Sequence, residues 1–240
     1  MAVSSKIMGL LHMRCGMVVV AAGSSVRMGC DKLTLPVLGV PVLARTLQTL
    51  NKCACVEEIV LVTREDRLEE MAELCASYGI SKIKCVVKGG KTRTESALAG
   101  LLALSKKQKY ALIHDGARPL VTEEIVETAL KCAMSHRNAC PSVPVTDTIK
   151  KKDGERVVET PVRSELCAVQ TPQAFDADLV KAALSKAVAE GKEYSDDCAA
   201  VEALGVPTYL CTGSSENIKI TAPMDVAVAE AILKQREAEQ

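Results

Sequence analysis

Residues 18–32 read VVVAAGSSVRMGCDK, and this stretch decides the fold. Its continuous apolar start is typical of a strand that is buried on both faces of a parallel sheet. The strand ends in Ala21, Ala22 and Gly23, small residues that let the backbone approach a ligand closely. The following loop offers backbone N–H groups that can surround an anion. Because open α/β sheets bind ligands at this end of their strands, the stretch predicts an anion-binding site.

Two cations belong to the same motif. Arg27 and Lys32 add fixed positive charge beside the loop. The glycine spacing matches neither GxGxxG nor GxxxxGK[ST], which argues against a dinucleotide-binding dehydrogenase and against a P-loop ATPase. A tight turn that carries two solvated cations is the alternative interpretation.

The rest of the chain alternates short apolar runs with amphipathic stretches. This alternation predicts an α/β fold with a doubly wound, mostly parallel, Rossmann-like sheet and right-handed crossovers. The predicted strands are residues 17–21, 58–63, 84–87, 110–114, 139–145 and 208–211. The predicted helices are residues 41–50, 67–78, 92–106, 122–135, 176–190, 196–204 and 223–235.

A polar segment, residues 147–159, interrupts the alternation. Its Asp153-Gly154 pair between strand-like flanks is a strong signal for a β-hairpin. An isolated hairpin is marginally stable in water, and this one has little apolar surface to pack on the core. We therefore expect residues 147–163, called the arm below, to protrude and to pack on a second copy of the chain in a homodimer.

Composition excludes several classes of protein. The chain has 240 residues, for which we predict a flexible tail (residues 1–16) and a single domain (residues 17–240). Lys and Arg total 30, Asp and Glu total 30, and aromatic residues make up 2%, so we expect no nucleic-acid partner. The sequence has no run of 18 apolar residues and no signal-peptide core, so we expect no membrane association.

The cysteines indicate a reducing compartment. The chain contains 11 of them, scattered singly except for Cys53 and Cys55. One such pair, with no second pair or nearby histidine, is poor evidence for a metal site. We therefore expect buried, reduced thiols in a cytoplasmic protein.

A glycine-rich segment follows the third predicted strand. Residues 89–96 read GGKTRTES and open a predicted helix. The N–H groups of this turn and Ser96 can meet the polar edge of a base, while Arg93 can reach a base edge or a ribose. The alternative is an ordinary helix that Thr92 caps behind a glycine turn.

Two charged residues come from later in the chain. Asp115 ends an apolar strand, where a carboxylate needs compensation from a divalent metal, a substrate hydroxyl or Arg118. A purely structural Asp115–Arg118 pair is the alternative, and the neighbouring His114 is expected to be a buried structural residue. Lys219 lies in a predicted alternating strand, residues 217–221, so its charge must reach water or an anion.

Five motifs, in this order, resemble the 2-C-methyl-D-erythritol 4-phosphate cytidylyltransferase family. They are AAGxxxRMG from Ala21 with Lys32, GGKTRTES at 89–96, HDGARP at 114–119, TPQ at 171–173 and ENIKIT at 216–221. The first motif alone indicates only a nucleotidyltransferase of the sugar-nucleotide type, and the later ones are more specific. The resemblance extends from about Met17 to the last helix, and it implies a nucleotidyltransferase fold.

The resemblance also implies a reaction. The family transfers a cytidylyl group from CTP to 2-C-methyl-D-erythritol 4-phosphate, which gives 4-CDP-2-C-methyl-D-erythritol and pyrophosphate for isoprenoid biosynthesis. The attacking phosphate is already ionised, so catalysis depends on positioning and charge stabilisation and needs no general base. Mg²⁺ is the implied cofactor, with Asp115 as the candidate protein ligand.

Residue roles carry over from the matching motifs. The implied catalytic residues are Arg27, Lys32 and Lys219. The implied nucleotide-binding residues are Ala21, Ala22, Gly23, Gly90, Arg93, Ser96, Asp115 and Gly116. The implied polyol-phosphate-binding residues are Asp115, Arg118, Thr148, Arg163, Thr171 and Ser195. Of these, Thr148 and Arg163 flank the hairpin within the arm, and in the family this arm crosses to the partner subunit.

Three positions depart from the family pattern. Leu33 stands where the family often has Gln, Gly116 where it has Ala, and Ser195 where it has Thr. Two alternative functions stay open: a cytidylyltransferase for another polyol phosphate, such as ribitol 5-phosphate, and a non-catalytic nucleotide-binding regulator. Retention of all three implied catalytic cations argues against the regulator.

Overall fold

A computed structural model describes residues 14–23 and 31–239 of the chain. The strands are β1 (Cys15–Val20), β2 (Pro36–Val37), β3 (Val40–Pro41), β4 (Val56–Thr63), β5 (Ile83–Lys88), β6 (Tyr110–Asp115), β7 (Asn138–Pro144), β8 (Lys151–Asp153), β9 (Arg156–Glu159), β10 (Cys167–Val169), β11 (Gln173–Asp176) and β12 (Tyr209–Thr212). The α-helices are α1 (Val42–Lys52), α2 (Leu68–Ser77), α3 (Arg93–Ala103), α4 (Glu123–His136), α5 (Ala177–Ala189), α6 (Asp197–Glu202) and α7 (Pro223–Ala238). Arg27 and most of the predicted tail lie outside the described residues.

The central sheet is mixed and mostly parallel, as predicted. Its strand order is β10–β7–β11–β6–β1–β4–β5, and β12 pairs with β7 off this path. Strands β5, β4, β1 and β6 are parallel neighbours, and β12 is parallel to β7. The unpredicted strand β11 runs antiparallel between β6 and β7, and the unpredicted β10 runs antiparallel to β7. Both are only three or four residues long, too short for a reliable periodic signal.

Strand β1 lies in the middle of the core. Its Met17 and Val19 pack into one apolar cluster and Val18 packs into another. Since alternate side chains of a strand point to opposite faces, the two clusters lie on the two faces of the sheet. Helices α1 and α4 contribute to the first cluster, and α3 and α5 contribute to the second. Helices therefore cover both faces of the sheet, which is the doubly wound arrangement that the buried apolar run predicts.

Helix α3 approaches the sheet closely because of one glycine. A Cβ on Gly100 would overlap Val18 Cγ1 and would lie 2.7 Å from Val62 Cγ2. The first turn of the helix is capped by Thr92, whose hydroxyl accepts a hydrogen bond from Glu95 N at 3.1 Å. The helix ends at Ala103, three residues before the predicted end at 106.

Two predictions about strands are wrong. The first predicted strand begins at residue 17, whereas β1 begins two residues earlier, at Cys15. Residues 217–221 form no strand: Ile220 N donates to Ala117 O at 2.8 Å, but no ladder continues from this bond. The side chain of Ile220 is fully buried.

The arm contains the predicted hairpin. Strands β8 and β9 pair with each other and form a two-stranded sheet of their own. Asp153 pairs with Arg156, so Gly154 and Glu155 make the two-residue turn, and Gly154 has a φ of +57°. Every residue of both strands is exposed, including Val157. The hairpin therefore has no packing partner within the described part of its own chain.

The described cysteines carry free thiols. Six of the ten are buried, among them Cys53 and Cys55. Desolvation by burial raises the pKa of Cys53 to about 12, so this thiol is neutral at physiological pH. In the described part of the chain, no helix is long and apolar enough to cross a bilayer.

Candidate active site

A cavity of about 370 Å³ opens at the carboxyl ends of β1 and β6. Its walls come from the end of β1, residues 32–33, the start of α3, the end of β6 and the segment before α7. The lining residues are Val20, Ala21, Ala22, Gly23, Lys32, Leu33, Gly90, Lys91, Thr92, Arg93, Ser96, Asp115, Ala117 and Lys219. Five stretches of the sequence therefore meet at one point, where an open α/β sheet is expected to bind its ligand.

Backbone packing at the cavity floor requires small residues. A Cβ on Gly89 would lie 2.9 Å from the Cβ of Ala22, and a Cβ on Gly90 would overlap that of Glu95. The turn is fixed by Ser96, whose hydroxyl accepts a hydrogen bond from Gly90 N at 3.1 Å. Glycine at these positions lets the turn lie directly against the end of β1, with backbone groups exposed to the cavity.

Asp115 is surrounded by three cations. Its Oδ2 lies 2.7 Å from Lys219 Nζ and 3.8 Å from Arg118 Nε, and its Oδ1 lies 3.6 Å from Arg93 Nη2. Lys219 is the closest of the three, so the alternative of an isolated, purely structural Asp115–Arg118 pair is wrong. The carboxylate connects cations from three separate motifs around the same cavity.

The charge on Asp115 is maintained by these neighbours. Burial alone would raise the pKa of this carboxyl, but the positive charges of Lys219, Arg93 and Arg118 outweigh burial and hold the pKa well below its usual range. The adjacent His114 is fully buried, and desolvation lowers its pKa to about 4. His114 is therefore neutral at physiological pH, in agreement with the structural role predicted for it.

Arg93 is held between two carboxylates. Its Nη2 lies 2.8 Å from Asp197 Oδ2 and 3.6 Å from Asp115 Oδ1. Asp197 is 1% exposed, and its backbone N donates to Gln173 Oε1 at 2.9 Å. Gln173 also donates from Nε2 to Asp196 Oδ2, at 2.9 Å. The TPQ motif therefore fixes the start of α6, and Asp197 at that start holds Arg93.

A second network, made of hydrogen bonds, holds Asp115 and the segment that carries Lys219. Thr171 Oγ1 accepts a hydrogen bond from Asp115 N at 3.1 Å and lies 3.0 Å from His114 Nδ1. Asn217 Nδ2 donates to Thr171 O at 3.0 Å, and Arg118 Nη1 donates to Asn217 O at 2.6 Å. These bonds tie the HDGARP, TPQ and ENIKIT motifs together beneath the cavity.

Lys32 reaches the cavity from a segment that is anchored on both sides. Asp31 forms an ion pair with Arg67, and Asp31 Oδ1 accepts a hydrogen bond from Leu33 N at 3.0 Å. The charge of Lys32 also acts on Asp225, in the first turn of α7. Burial raises the pKa of Asp225, but hydrogen bonds from residues 221–222 and the charge of Lys32 outweigh it and lower that pKa.

The structure brings most of the predicted residues together. Predicted residues that line the cavity are Ala21, Ala22, Gly23, Lys32, Gly90, Arg93, Ser96, Asp115 and Lys219. Arg118 and Thr171 contact Asp115 or its backbone and do not line the cavity. Gly116 does not line the cavity, but a Cβ there would lie 3.4 Å from the Cβ of Ala21, which does. Arg27, the remaining implied catalytic cation, lies outside the described residues.

Three predicted substrate residues lie away from the cavity of their own chain. Thr148 and Arg163 are exposed on the arm, where Arg163 Nη1 donates to Thr146 O at 2.9 Å. Ser195 is exposed directly before α6 and does not line the cavity. Their roles in substrate binding stay predictions.

The family description "IspD: 2-C-methyl-D-erythritol 4-phosphate cytidylyltransferase" matches residues 15–235, which include every element of the site. The chain belongs to this family. The resemblance drawn from the five motifs, and the enzyme class of cytidylyltransferase, are therefore confirmed.

Relatives of the family agree in sequence and in structure. The 2-C-methyl-D-erythritol 4-phosphate cytidylyltransferase of Halalkalibacterium halodurans is 44% identical over 227 residues, which cover 94% of this chain and 99% of the relative. The crystal structure of 4-diphosphocytidyl-2C-methyl-D-erythritol synthase from Anaerococcus prevotii is similar with a TM-score of 0.83 at 30% identity, covering 94% of this chain and 99% of that one. The cytidylyltransferase structure from Thermus thermophilus has a TM-score of 0.75 at 30% identity, covering 92% and 100%.

Sequence reasoning missed several residues of this cytidylyltransferase site. Asp197 is the most important, since it is buried and paired with Arg93. In the sequence, the acidic pair Asp196-Asp197 at a predicted helix start could have indicated it. One carboxylate of such a pair caps the helix, and the other can bind a different partner. Leu33, a departure from the family pattern, lines the cavity while being 3% exposed, so its side chain packs mainly in the core.

Proposed function

We propose that this enzyme transfers the cytidylyl group of CTP to 2-C-methyl-D-erythritol 4-phosphate and releases pyrophosphate. One observation supports this most directly: Lys32, Arg93 and Lys219, cations from three separate motifs, line a single cavity together with Asp115. A nucleoside triphosphate carries dense negative charge, and preorganised cations stabilise both its bound state and the charge that develops during transfer.

The base and ribose of CTP are expected to occupy the α3 side of the cavity. Gly90 presents its backbone there, and Ala21 and Ala22 present theirs at the end of β1. Ser96 lines the same wall, with its hydroxyl already engaged in a bond to Thr92 O at 2.8 Å. Arg93 extends from the first residue of the helix towards the same space. Fixed backbone groups of this kind recognise base edges by hydrogen bonds in defined directions.

Lys32 and Lys219 act on the phosphates. An oxygen of the polyol phosphate forms a bond to the α-phosphorus of CTP, while the bond from that phosphorus to the oxygen shared with the β-phosphorus breaks. Pyrophosphate leaves with the electron pair of the broken bond. Lys32 and Lys219 stabilise the charge on the pentacoordinate phosphorus and on the leaving group, and we assign the same role to Arg27.

The site suits an Mg²⁺ ion that the nucleotide brings with it. Asp115 is the one carboxylate lining the cavity among the described residues, and the low pKa of this group keeps it ionised. The described residues contain no cluster of three or more His, Cys, Asp or Glu side chains that could enclose a metal. Mg²⁺ commonly binds through one or two carboxylates plus substrate phosphates. When bound, it would neutralise triphosphate charge, and Asp115 would hold it.

The arm is proposed to complete the polyol-phosphate site of a second copy in a homodimer. Its apolar side chains have no partner within the described chain: Val157 is 52% exposed and Val162 is 58% exposed. A groove lies at the base of the arm, lined by residues 142–145 and 162–167 with the exception of Glu165. Docking there would bring Thr148 and Arg163 to the neighbouring subunit, where both can bind a phosphate.

Free thiols among the described cysteines support a reducing compartment, and we place the reaction in the cytoplasm.

A substrate panel tests the proposal. Pyrophosphate release from CTP is measured with 2-C-methyl-D-erythritol 4-phosphate and with ribitol 5-phosphate, each with magnesium and with EDTA. We expect release with the first substrate and loss of release in EDTA. Release with ribitol 5-phosphate alone would establish the alternative polyol specificity. CTP binding with no release from either substrate would instead establish a nucleotide-binding regulator.

A further inference from the structure

We propose that Asp197 is a positioning residue for CTP recognition, acting through Arg93. This inference rests on the proposed function, because it assigns Arg93 to the nucleotide. The two side chains come from residues 104 positions apart and meet at 2.8 Å beside the cavity. None of the five family motifs includes Asp197.

Asp197 is placed to fix the direction of Arg93. The Asp197 side chain is 1% exposed, whereas that of Arg93 is 28% exposed and lines the cavity. The carboxylate of the ion pair is thus buried in the protein, while the guanidinium faces the cavity. A charge-assisted bond to a buried carboxylate restricts the guanidinium to one orientation, which reduces the entropy lost on binding.

The anchor itself is rigid. Gln173 Oε1 accepts hydrogen bonds from Asp197 N at 2.9 Å and from Cys198 N at 3.2 Å. Gln173 is 1% exposed and lies on β11, between β6 and β7 in the central sheet. The position of Arg93 is therefore set by the sheet through Gln173 and Asp197, and not by its own helix alone.

The two carboxylates around Arg93 are not equivalent. Asp115 Oδ1 lies 3.6 Å from Arg93 Nη2, and Asp115 also faces Lys219 at 2.7 Å. Asp197 Oδ1 is buried and has no hydrogen-bond partner, and Oδ2 contacts Arg93. If Asp197 were neutral, Arg93 would turn towards Asp115 and compete with Lys219 for it. Asp197 therefore keeps Arg93 on the nucleotide side and leaves Asp115 to Lys219.

The substitution Asp197→Asn keeps the size of the side chain and removes its charge. We expect the dissociation constant and the KM for CTP to rise about 10- to 100-fold, the change for one charged hydrogen bond. The expected change in kcat is smaller, because Asp197 acts through Arg93, whereas the charge on the phosphates is assigned to Lys32 and Lys219. A purely structural role would lower thermal stability without this split between KM and kcat. Glu202→Gln removes one charge from an exposed position of the same helix and is the matched control.

A double-mutant cycle with Arg93→Ala separates action through Arg93 from direct action. We expect Asp197→Asn to add no further loss of CTP affinity in the Arg93→Ala background. Asp197→Glu retains the charge and should recover part of the affinity, which keeps the test usable if Asp197→Asn fails to fold. Wild-type CTP affinity of Asp197→Asn, or additive losses in the cycle, would overturn the inference.

Calorimetric titration of each folded variant with CTP is the primary measurement. Failure of the wild-type protein to bind CTP would contradict the proposed function itself. Binding by the wild type together with equal binding by Asp197→Asn would contradict only the positioning role of Asp197.

Discussion

At the scale of single residues, charge around Asp115 decides what the site can do. One carboxylate faces Lys219, Arg93 and Arg118, and a neutral histidine lies directly before it in sequence. The cations outnumber the carboxylate, so the cavity keeps positive charge available for phosphate groups. This excess follows from side chains of three separate motifs and not from the neutral composition of the whole chain.

Lys32→Ala removes one cation from the cavity wall. We expect kcat to fall about 10²- to 10³-fold, as for loss of one preorganised charge donor, with the fold intact. Steady-state pyrophosphate release measures the change, and circular dichroism checks the fold. Lys131→Ala, on the exposed face of α4, is the matched control and should retain wild-type activity. Near wild-type turnover by the Lys32 variant would remove this residue from the mechanism.

His114 predicts a pH dependence of stability. Its folded pKa is lowered to about 4 by burial, below its ordinary value of about 6.5 in the unfolded chain. The unfolded state therefore binds more protons, and stability falls as the pH drops from about 6.5 through 4, by up to about 3 kcal/mol. Urea unfolding across this range measures the slope.

The substitution His114→Gln should remove that slope, whereas His136→Gln, at an exposed position, should retain it. Asp115 does not obscure the test. Its folded pKa is lowered, so its contribution to stability is lost only as the pH falls below the ordinary carboxyl range near 4. An unchanged slope in His114→Gln would show that other groups titrate between pH 6.5 and 4.

At the scale of elements, the arm differs from every other described part of the fold. Strands β8 and β9 pair only with each other, and all their residues are exposed. Two-stranded sheets are marginally stable alone, so the proposed homodimer contact would stabilise this one. The sequence of the arm predicts its local hairpin, and the proposed partner subunit would supply its packing.

Replacing Val157 and Val158 together by Glu should weaken the homodimer and lower activity, because charge would enter an apolar contact. Sedimentation at several protein concentrations measures the mass, and pyrophosphate release measures activity. Leu102→Glu alters an apolar side chain that is 66% exposed on α3, and it should change neither property. Full activity of a monomeric arm variant would contradict the proposed role of the arm.

At the scale of the whole molecule, the site depends on nearly the complete fold. The cavity walls come from residues before β1 ends and from residues just before α7, so the chain must fold nearly completely before the cavity exists. A ligand of this cavity therefore binds the native state and not the unfolded chain, and it stabilises the protein by mass action.

CTP at about 100 times its dissociation constant should stabilise the protein by about 2.7 kcal/mol. For a chain of this size that corresponds to a rise in Tm of about 5–10 °C. Differential scanning fluorimetry with magnesium measures the shift, and ATP at the same concentration is the control for base recognition. Equal shifts with CTP and ATP would contradict cytosine recognition at the wall that contains Gly90 and Ser96.

Local signals in the sequence predicted much of this protein. The apolar run of β1 and the small residues after it each act within a few residues, so periodicity and turn chemistry identify them. The motif cations were identified in the same way, and the family match confirms the fold and enzyme class that they implied. The hairpin was likewise encoded locally, because the Asp153-Gly154 signal lies at its turn, which Gly154 and Glu155 form.

Tertiary structure alone decided the partners of these residues. Whether Asp115 faces Arg118, Lys219 or Arg93 depends on distances across the sheet, and residue spacing along the chain holds no information about them. The antiparallel insertion of β11 was hidden for the same reason, since its four residues gain their stability from the strands on either side. Asp197 became recognisable as part of the site only when folding placed a buried carboxylate against Arg93.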